Sequence, residues 1–185
     1  AVPWPAQGLY SKKEINSVAD LKGLKFRAYN SATIRIAELT GMAPTKIEAA
    51  EISQAFSTGA VESMITSPTT GKNSKIWENG VGYFYDIAAW FPKNMVIVNK
   101  DAWNKLDSAT KKLVMSEAAV AEKKGWELSK KGNVADKKAL ADAGMKVGKV
   151  NSALEKHFQK VGATMADEWK AKAGSRGASV LAAYK

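Results

Sequence analysis

An arginine inside an apolar strand is the residue of this sequence best placed to do chemistry. Arg27 lies between Phe26 and Ala28 in the run Leu24-Lys25-Phe26-Arg27-Ala28-Tyr29, which reads as a short strand. In an open α/β sheet, ligands gather beyond the carboxyl ends of the strands. A guanidinium held there matches a carboxylate through two parallel hydrogen bonds. A structural ion pair, or an arginine on an exposed edge strand, accounts for the same residue equally well. Other strand ends point toward a ligand. Thr66 and Ser67 follow a strand and offer two hydroxyls. Asn30 and Ser31 open a helix, where backbone N–H groups favour an anion. Trp90 ends another apolar run, and a core role competes there, because aromatic rings more often fill cores. Tyr29 and Asn94 complete the candidate ligand-binding set.

The residues of a catalytic or metal centre do not assemble. A hydrolase triad needs a base beside a nucleophile. The single histidine, His157, stands between Lys156 and Phe158 in a lysine-rich stretch. There is no cysteine, so disulfides, zinc–thiolate sites and cysteine nucleophiles are excluded. Gly71-Lys72 is followed by Asn73-Ser74 without the earlier glycine of a phosphate-cradling loop. No His or carboxylate cluster has metal-ligand spacing. We therefore assign no catalytic residue, no metal and no cofactor, and expect a binding protein, not an enzyme.

The charge raises a different possibility. The chain of 185 residues carries a net charge of +10, which invites a nucleic-acid reading. Only Arg27, Arg35 and Arg176 among its 28 basic residues are arginines, and base or phosphate recognition favours arginine. The lysines are interspersed with acids, as in Glu122-Lys123-Lys124, which describes a solvated surface. A basic nucleic-acid-binding or regulatory protein is thus the competing reading, and a small α/β enzyme the weaker one. No apolar run approaches the ~20 residues of a membrane span. The chain opens Ala1-Val2-Pro3-Trp4-Pro5 without an initiator Met; the expectation is that a leader was removed or the chain was cut further in. Freedom from cysteine suits the periplasm without proving it.

The elements that must position these residues alternate along the first part of the chain. Ser17 caps a short helix over 18–22 that Gly23 ends. The strand bearing Arg27 leads into a helix over 31–40, stopped by Gly41. A strand over 44–47, a helix over 50–58, a strand over 61–66 and a helix over 68–77 follow. Residues 87–91 and 95–99 read as two further strands broken by Pro92. The alternation implies an α/β sheet with largely parallel pairing. From Asp107 a helical stretch runs to about Ala143. Val114, Ala118, Ala121, Gly125, Leu128, Gly132, Ala135 and Ala139 form a seam of mostly small residues at 4-3-4-3 spacing. Gly125 and Gly132 are points where such a helix can kink. A brief strand over 145–147, a helix over about 152–173 ended by Gly174, and a last short helix to Tyr184 complete the chain.

The order of motifs resembles a known family. Ile15-Asn16-Ser17-Val18-Ala19-Asp20-Leu21-Lys22-Gly23-Leu24-Lys25-Phe26-Arg27 is similar to an "I-x-S-x-x-D-L-K-G-x-K-x-R" signature. Gly41-Met42-Ala43-Pro44, the run Ala50 to Glu62, Asn99 to Leu106, and Gly144 to Val147 follow in the family's order. On these five motifs the chain resembles the DctP-type solute-binding proteins of TRAP (tripartite ATP-independent periplasmic) transporters. The resemblance implies a periplasmic, two-lobed α/β clamp that captures an organic acid and delivers it to a membrane permease. It also implies that Arg27 pairs with the ligand carboxylate and that a residue at Thr66 or Ser67 assists. Glu62-Ser63 departs from the family's Asp-Gly. Trp4-Pro5 and Trp90-Phe91 point to an aromatic-rich subgroup, and so to a monocarboxylate of aromatic or keto-acid type. Family members are longer, so the expected architecture is one near-complete lobe with hinge strands over 1–100. A long bracing helix and C-terminal helices over 101–185 would complete it. An exposed lobe interface could then drive dimerisation.

Overall fold

The computed structural model describes residues 1–183. Its centre is a six-stranded mixed sheet. The strands are β1 (Val2–Pro3), β2 (Gly8–Ser11), β3 (Lys25–Ala28), β4 (Ala43–Lys46), β5 (Ser63–Thr66), β6 (Tyr83–Tyr85), β7 (Lys93–Asn94) and β8 (Lys146–Gly148). The sheet order is β4-β3-β5-β2-β6-β8, and β1 pairs with β7 in a separate two-stranded ladder. β3 runs parallel to β4 and β5, and β6 parallel to β8. β2 lies antiparallel between β5 and β6, with Gly8 opposite Thr66 and Leu9 opposite Ile65 and Tyr85.

Strand periodicity divides the core between the two faces of this sheet. Leu9, Phe26, Ala28, Ile65 and Tyr85 join one apolar cluster, while Tyr10, Met64 and Phe84 join the other. The helices α1 (Ser31–Thr40) and α6 (Ser152–Ala183) cover the first face through Ile36, Ala37, Leu154 and Val161. The helix α2 (Ile52–Ser57) covers the second through Ile52, Ala55 and Phe56. The short α3 (Pro68–Asn73) presses on the same side, close enough that a Cβ at Gly71 would overlap the Tyr10 ring.

Local signals account for most element ends. Asn30 caps α1 by accepting a hydrogen bond from the Thr33 N–H, and Gly41 closes the helix at φ 76°. After α4 (Lys100–Asn104), Asp107 caps α5 (Ser108–Asp142), which runs unbroken through Gly125 and Gly132. Its 35 residues span roughly 52 Å at 1.5 Å per residue. Gly174 adopts a non-helical φ of 61° and bends α6 there. Tyr184, where the last short helix was expected to finish, lies outside the described residues.

Four expectations need correction. The sheet is mixed, because β2, unseen in the sequence, enters antiparallel between the parallel strands. All four β2 residues are buried, so they show no alternation of apolar and polar types. Residues 87–91 form no strand: the chain turns after Tyr85, with Ala88 at φ 44°, and the strand is Tyr83–Tyr85 instead. Residues 95–99, apolar up to Val98, find no ladder partner among the described residues, and Met95 to Val98 are exposed. The seam on α5 also shifts. Gly125 packs on Val2 of β1, but Val114 and Leu128 are exposed, and the helix buries Asp136 and Leu140.

Asp136 fastens α5 to α3. Its carboxylate accepts hydrogen bonds from Thr69 Oγ1 at 2.6 Å and Lys72 Nζ at 2.8 Å. Lys137 of the same helix donates to Asp86 at 2.6 Å. Arg35 joins α1 to α6 by donating to Glu168 at 2.6 Å through Nη2 and 3.1 Å through Nε. That pairing holds the Arg35 guanidinium above its ordinary range and Glu168 below the usual carboxylate range.

Candidate functional site

The carboxyl ends of β3 and β5 carry the polar groups singled out in the sequence. Arg27 alternates with Phe26 and Ala28 along β3, so it leaves the face those residues pack on. It is buried to 3% exposure. Its Nε donates to the Ile47 carbonyl at 2.8 Å, and its guanidinium carbon lies 4.7 Å from the centre of the Tyr29 ring. No carboxylate forms a salt bridge with it among the described residues. Burial pulls the guanidinium below its ordinary value, against the opposing influence of Tyr29 and Glu48. Burial pushes the Tyr29 phenol up, while Trp90 and the Arg27 charge pull it back. A buried cation without a counter-ion is costly to keep, by several kcal/mol. An aromatic face recovers only about 0.5–2 kcal/mol of that. The arrangement is suited to an incoming anion.

A cleft of about 990 Å³ opens beside Tyr29, between α1, the 86–92 segment and α6. Tyr29, Asn30, Ile65, Trp90, Phe158 and Met165 are among its walls. Tyr29 therefore stands between this cleft and Arg27. Trp90 is half-buried and packs against the core cluster around Ile36 and Ile65, so the core role and a cleft-lining role coincide in it.

The other predicted residues are placed differently. Asn30 is exposed, and its side-chain oxygen is occupied by Thr33 N–H at 2.9 Å. Thr66 is buried at the end of β5, opposite Gly8. Ser67 is fully engaged as the cap of α3: its hydroxyl accepts from Thr70 N–H at 3.0 Å and from the Trp4 indole at 2.8 Å. Asn94 lies on β7, exposed and paired with Val2, away from the cleft walls. The structure thus brings Arg27, Tyr29, Asn30 and Trp90 to one end of the sheet and leaves Asn94 apart. It adds Trp4, which sequence reasoning noted only as an aromatic. Trp4 reaches Ser67 because the backbone of residues 4–7 pairs with residues 89–92. That long-range contact has no local signature.

His157 lies on α6 beside Phe158. Among the described residues no three His, Cys, Asp or Glu side chains come together, and no helix is long and apolar enough to cross a membrane.

Comparison with known proteins follows the same line. Residues 6–172 match the family described as bacterial extracellular solute-binding protein, family 7. A solute receptor of Bordetella pertussis, DctP6, described as binding pyroglutamic acid, is 42% identical with a TM-score of 0.95. A marine-metagenome TRAP solute-binding protein, described as specific for pyroglutamate, is 38% identical with a TM-score of 0.95. Each comparison covers 99% of this chain and 60% of that protein. The sialic acid-binding periplasmic protein SiaP of Vibrio cholerae is 30% identical over 107 residues, 56% of this chain and 32% of its own length. This chain thus spans less than two thirds of the length of these relatives.

Proposed function

The chain belongs to family 7 of the bacterial extracellular solute-binding proteins, and on that premise we propose that it is the carboxylate-gripping part of a TRAP transporter receptor. The family binds organic acids, and its members are receptors. The further reading is ours. The protein captures a small cyclic monocarboxylate, pyroglutamate foremost, in the periplasm. It holds the carboxylate on Arg27 and hands the acid unchanged to a membrane permease. The observation that carries this reading is the burial of Arg27 without a salt-bridge partner among the described residues. A buried guanidinium forms its strongest complex with a planar anion through two parallel hydrogen bonds.

Tyr29 and Trp90 would set the shape of the space beside the grip. Asn30 and Thr66 would supply polar contacts to the rest of the acid. Ser67 would contribute mainly by fixing α3 and Trp4, since its hydroxyl is already engaged. Asn94 would enter only through a contact outside the cleft described above. Residues 1–100 would form the ligand-binding lobe with its hinge strands, and α5 and α6 would brace it. The exposed apolar run Met95 to Val98 favours association through that surface, which sedimentation would show as a concentration-dependent mass.

A thermal-shift screen of organic acids on the intact protein tests the reading. Pyroglutamate at a hundred times its Kd should stabilise by about 2.7 kcal/mol, and mass spectrometry should recover it unchanged. No shift with any monocarboxylate, together with steeply salt-dependent binding to DNA, would favour the nucleic-acid reading instead.

A further inference from the structure

We propose that α5 carries a second functional surface: a lysine stripe that docks on an anionic lipid surface, independently of ligand capture. Lysine doublets recur on this helix at Lys123-Lys124, Lys130-Lys131 and Lys137-Lys138. Seven residues are close to two helical turns, with a drift of only about 20° per repeat. The doublets therefore share one face and extend over roughly 22 Å.

The first two doublets point away from the fold. The helix buries Asp136 and Leu140 and packs Gly132 near Thr69, all on the opposite side by helical angle. Lys137 is tied to Asp86 and Lys138 to Asp142. Lys123, Lys124, Lys130 and Lys131 are exposed and form no salt bridge among the described residues. One acid, Glu127, lies within the stripe. Val134 sits in it at 71% exposure, and Trp126 stands at its margin, half-exposed, with its N–H on the Ala1 carbonyl.

The chemistry of the stripe selects the partner. Four exposed ammonium groups on one face complement an anionic surface, and each binds a phosphate headgroup as a point charge that needs no fixed bidentate geometry. An unkinked helix presents the four free lysines, Lys123 to Lys131, in a line of roughly 12 Å, and a lipid surface is continuous over that length. Exposed Val134 and Trp126 provide the shallow apolar contacts that accompany basic faces on membranes. Each lysine brought to an anionic leaflet strengthens association roughly fivefold.

Sedimentation with lipid vesicles tests the proposal. The protein should pellet with vesicles of phosphatidylglycerol and phosphatidylcholine at low salt. It should stay in solution with phosphatidylcholine alone, and high salt should release it. The variant Lys123→Gln/Lys124→Gln/Lys130→Gln/Lys131→Gln should lose roughly a hundredfold or more in binding. A control of equal charge, with Lys156, Lys160, Lys170 and Lys172 changed to Gln, should change far less, and Glu127→Lys, which removes one negative charge and adds one positive, should strengthen binding by more than about fivefold. Circular dichroism confirms that each variant is folded. Equal loss in both quadruple variants would overturn the proposal, as would binding to an acidic protein surface without binding to vesicles.

Discussion

Two buried charges in this protein are met in opposite ways. Asp136 on α5 is 5% exposed and receives hydrogen bonds from Thr69 and Lys72. Arg27 on β3 is 3% exposed and donates to one backbone carbonyl, with its guanidinium against the Tyr29 ring. The first charge is satisfied by its own chain and joins two helices. The second keeps donors in reserve, and the fold bears the cost of its desolvation. The contrast separates a charge satisfied within the fold from one without an ionic partner among the described residues, the arrangement that the proposed carboxylate grip requires.

The largest effect that would sharpen the contrast is on binding. Arg27→Ala in the intact protein should cost about 3–5 kcal/mol of carboxylate affinity, as expected when one member of a buried ion pair is removed. Calorimetric titration would read it, and unchanged affinity would break the comparison at once. Asp136→Ala should act on stability instead. Thr69 loses its acceptor, but Lys72 is half-exposed and regains water, so the cost is nearer about 1–3 kcal/mol. At this chain length that lowers Tm by roughly 2–4 °C per kcal/mol, with ligand affinity little changed.

Arg27→Met probes the other half of the contrast. Exchanging a buried, poorly compensated charge for an apolar side chain is often neutral or stabilising, by about 1–4 kcal/mol. Urea denaturation of the ligand-free variant should therefore show equal or greater stability, although binding is lost. A marked loss of stability would mean that Arg27 is a structural residue.

The smallest effect concerns a charge that is exposed yet engaged. Asp20 accepts from the Asn16 and Ser17 N–H groups, which hold its carboxyl below the usual carboxylate range. A depressed folded-state pKa contributes stability above the ordinary pKa of about 3.9. That contribution fades as pH falls through the depressed value. Asp20→Asn should thus be less stable than the parent protein at neutral pH. The difference should shrink in acid, as denaturation at the two pH values would show.

These contrasts also mark what was legible in the sequence. Arg27 stands out because a charge set between Phe26 and Ala28 in a short strand is a local anomaly. Asn30 and Gly41 were readable as helix boundaries because capping is local chemistry. Nothing local flagged Asp136, which is one acid among lysines until α3 is laid against it. The same holds for Ser67, whose partner Trp4 is 63 residues away. β2 was invisible because burial on both faces removes alternation. The run 95–99 was misread because a strand is made by its neighbour, and apolar residues alone do not supply one.

The proposed role of Arg27 as the carboxylate grip is open to one direct test. The structure of the intact protein with bound pyroglutamate, or with the acid that stabilises it most, tests it directly. Both carboxylate oxygens should lie within about 3 Å of the Arg27 guanidinium nitrogens, beside Tyr29. A ligand carboxylate held by other residues, with Arg27 bonded only to the Ile47 carbonyl, would contradict it.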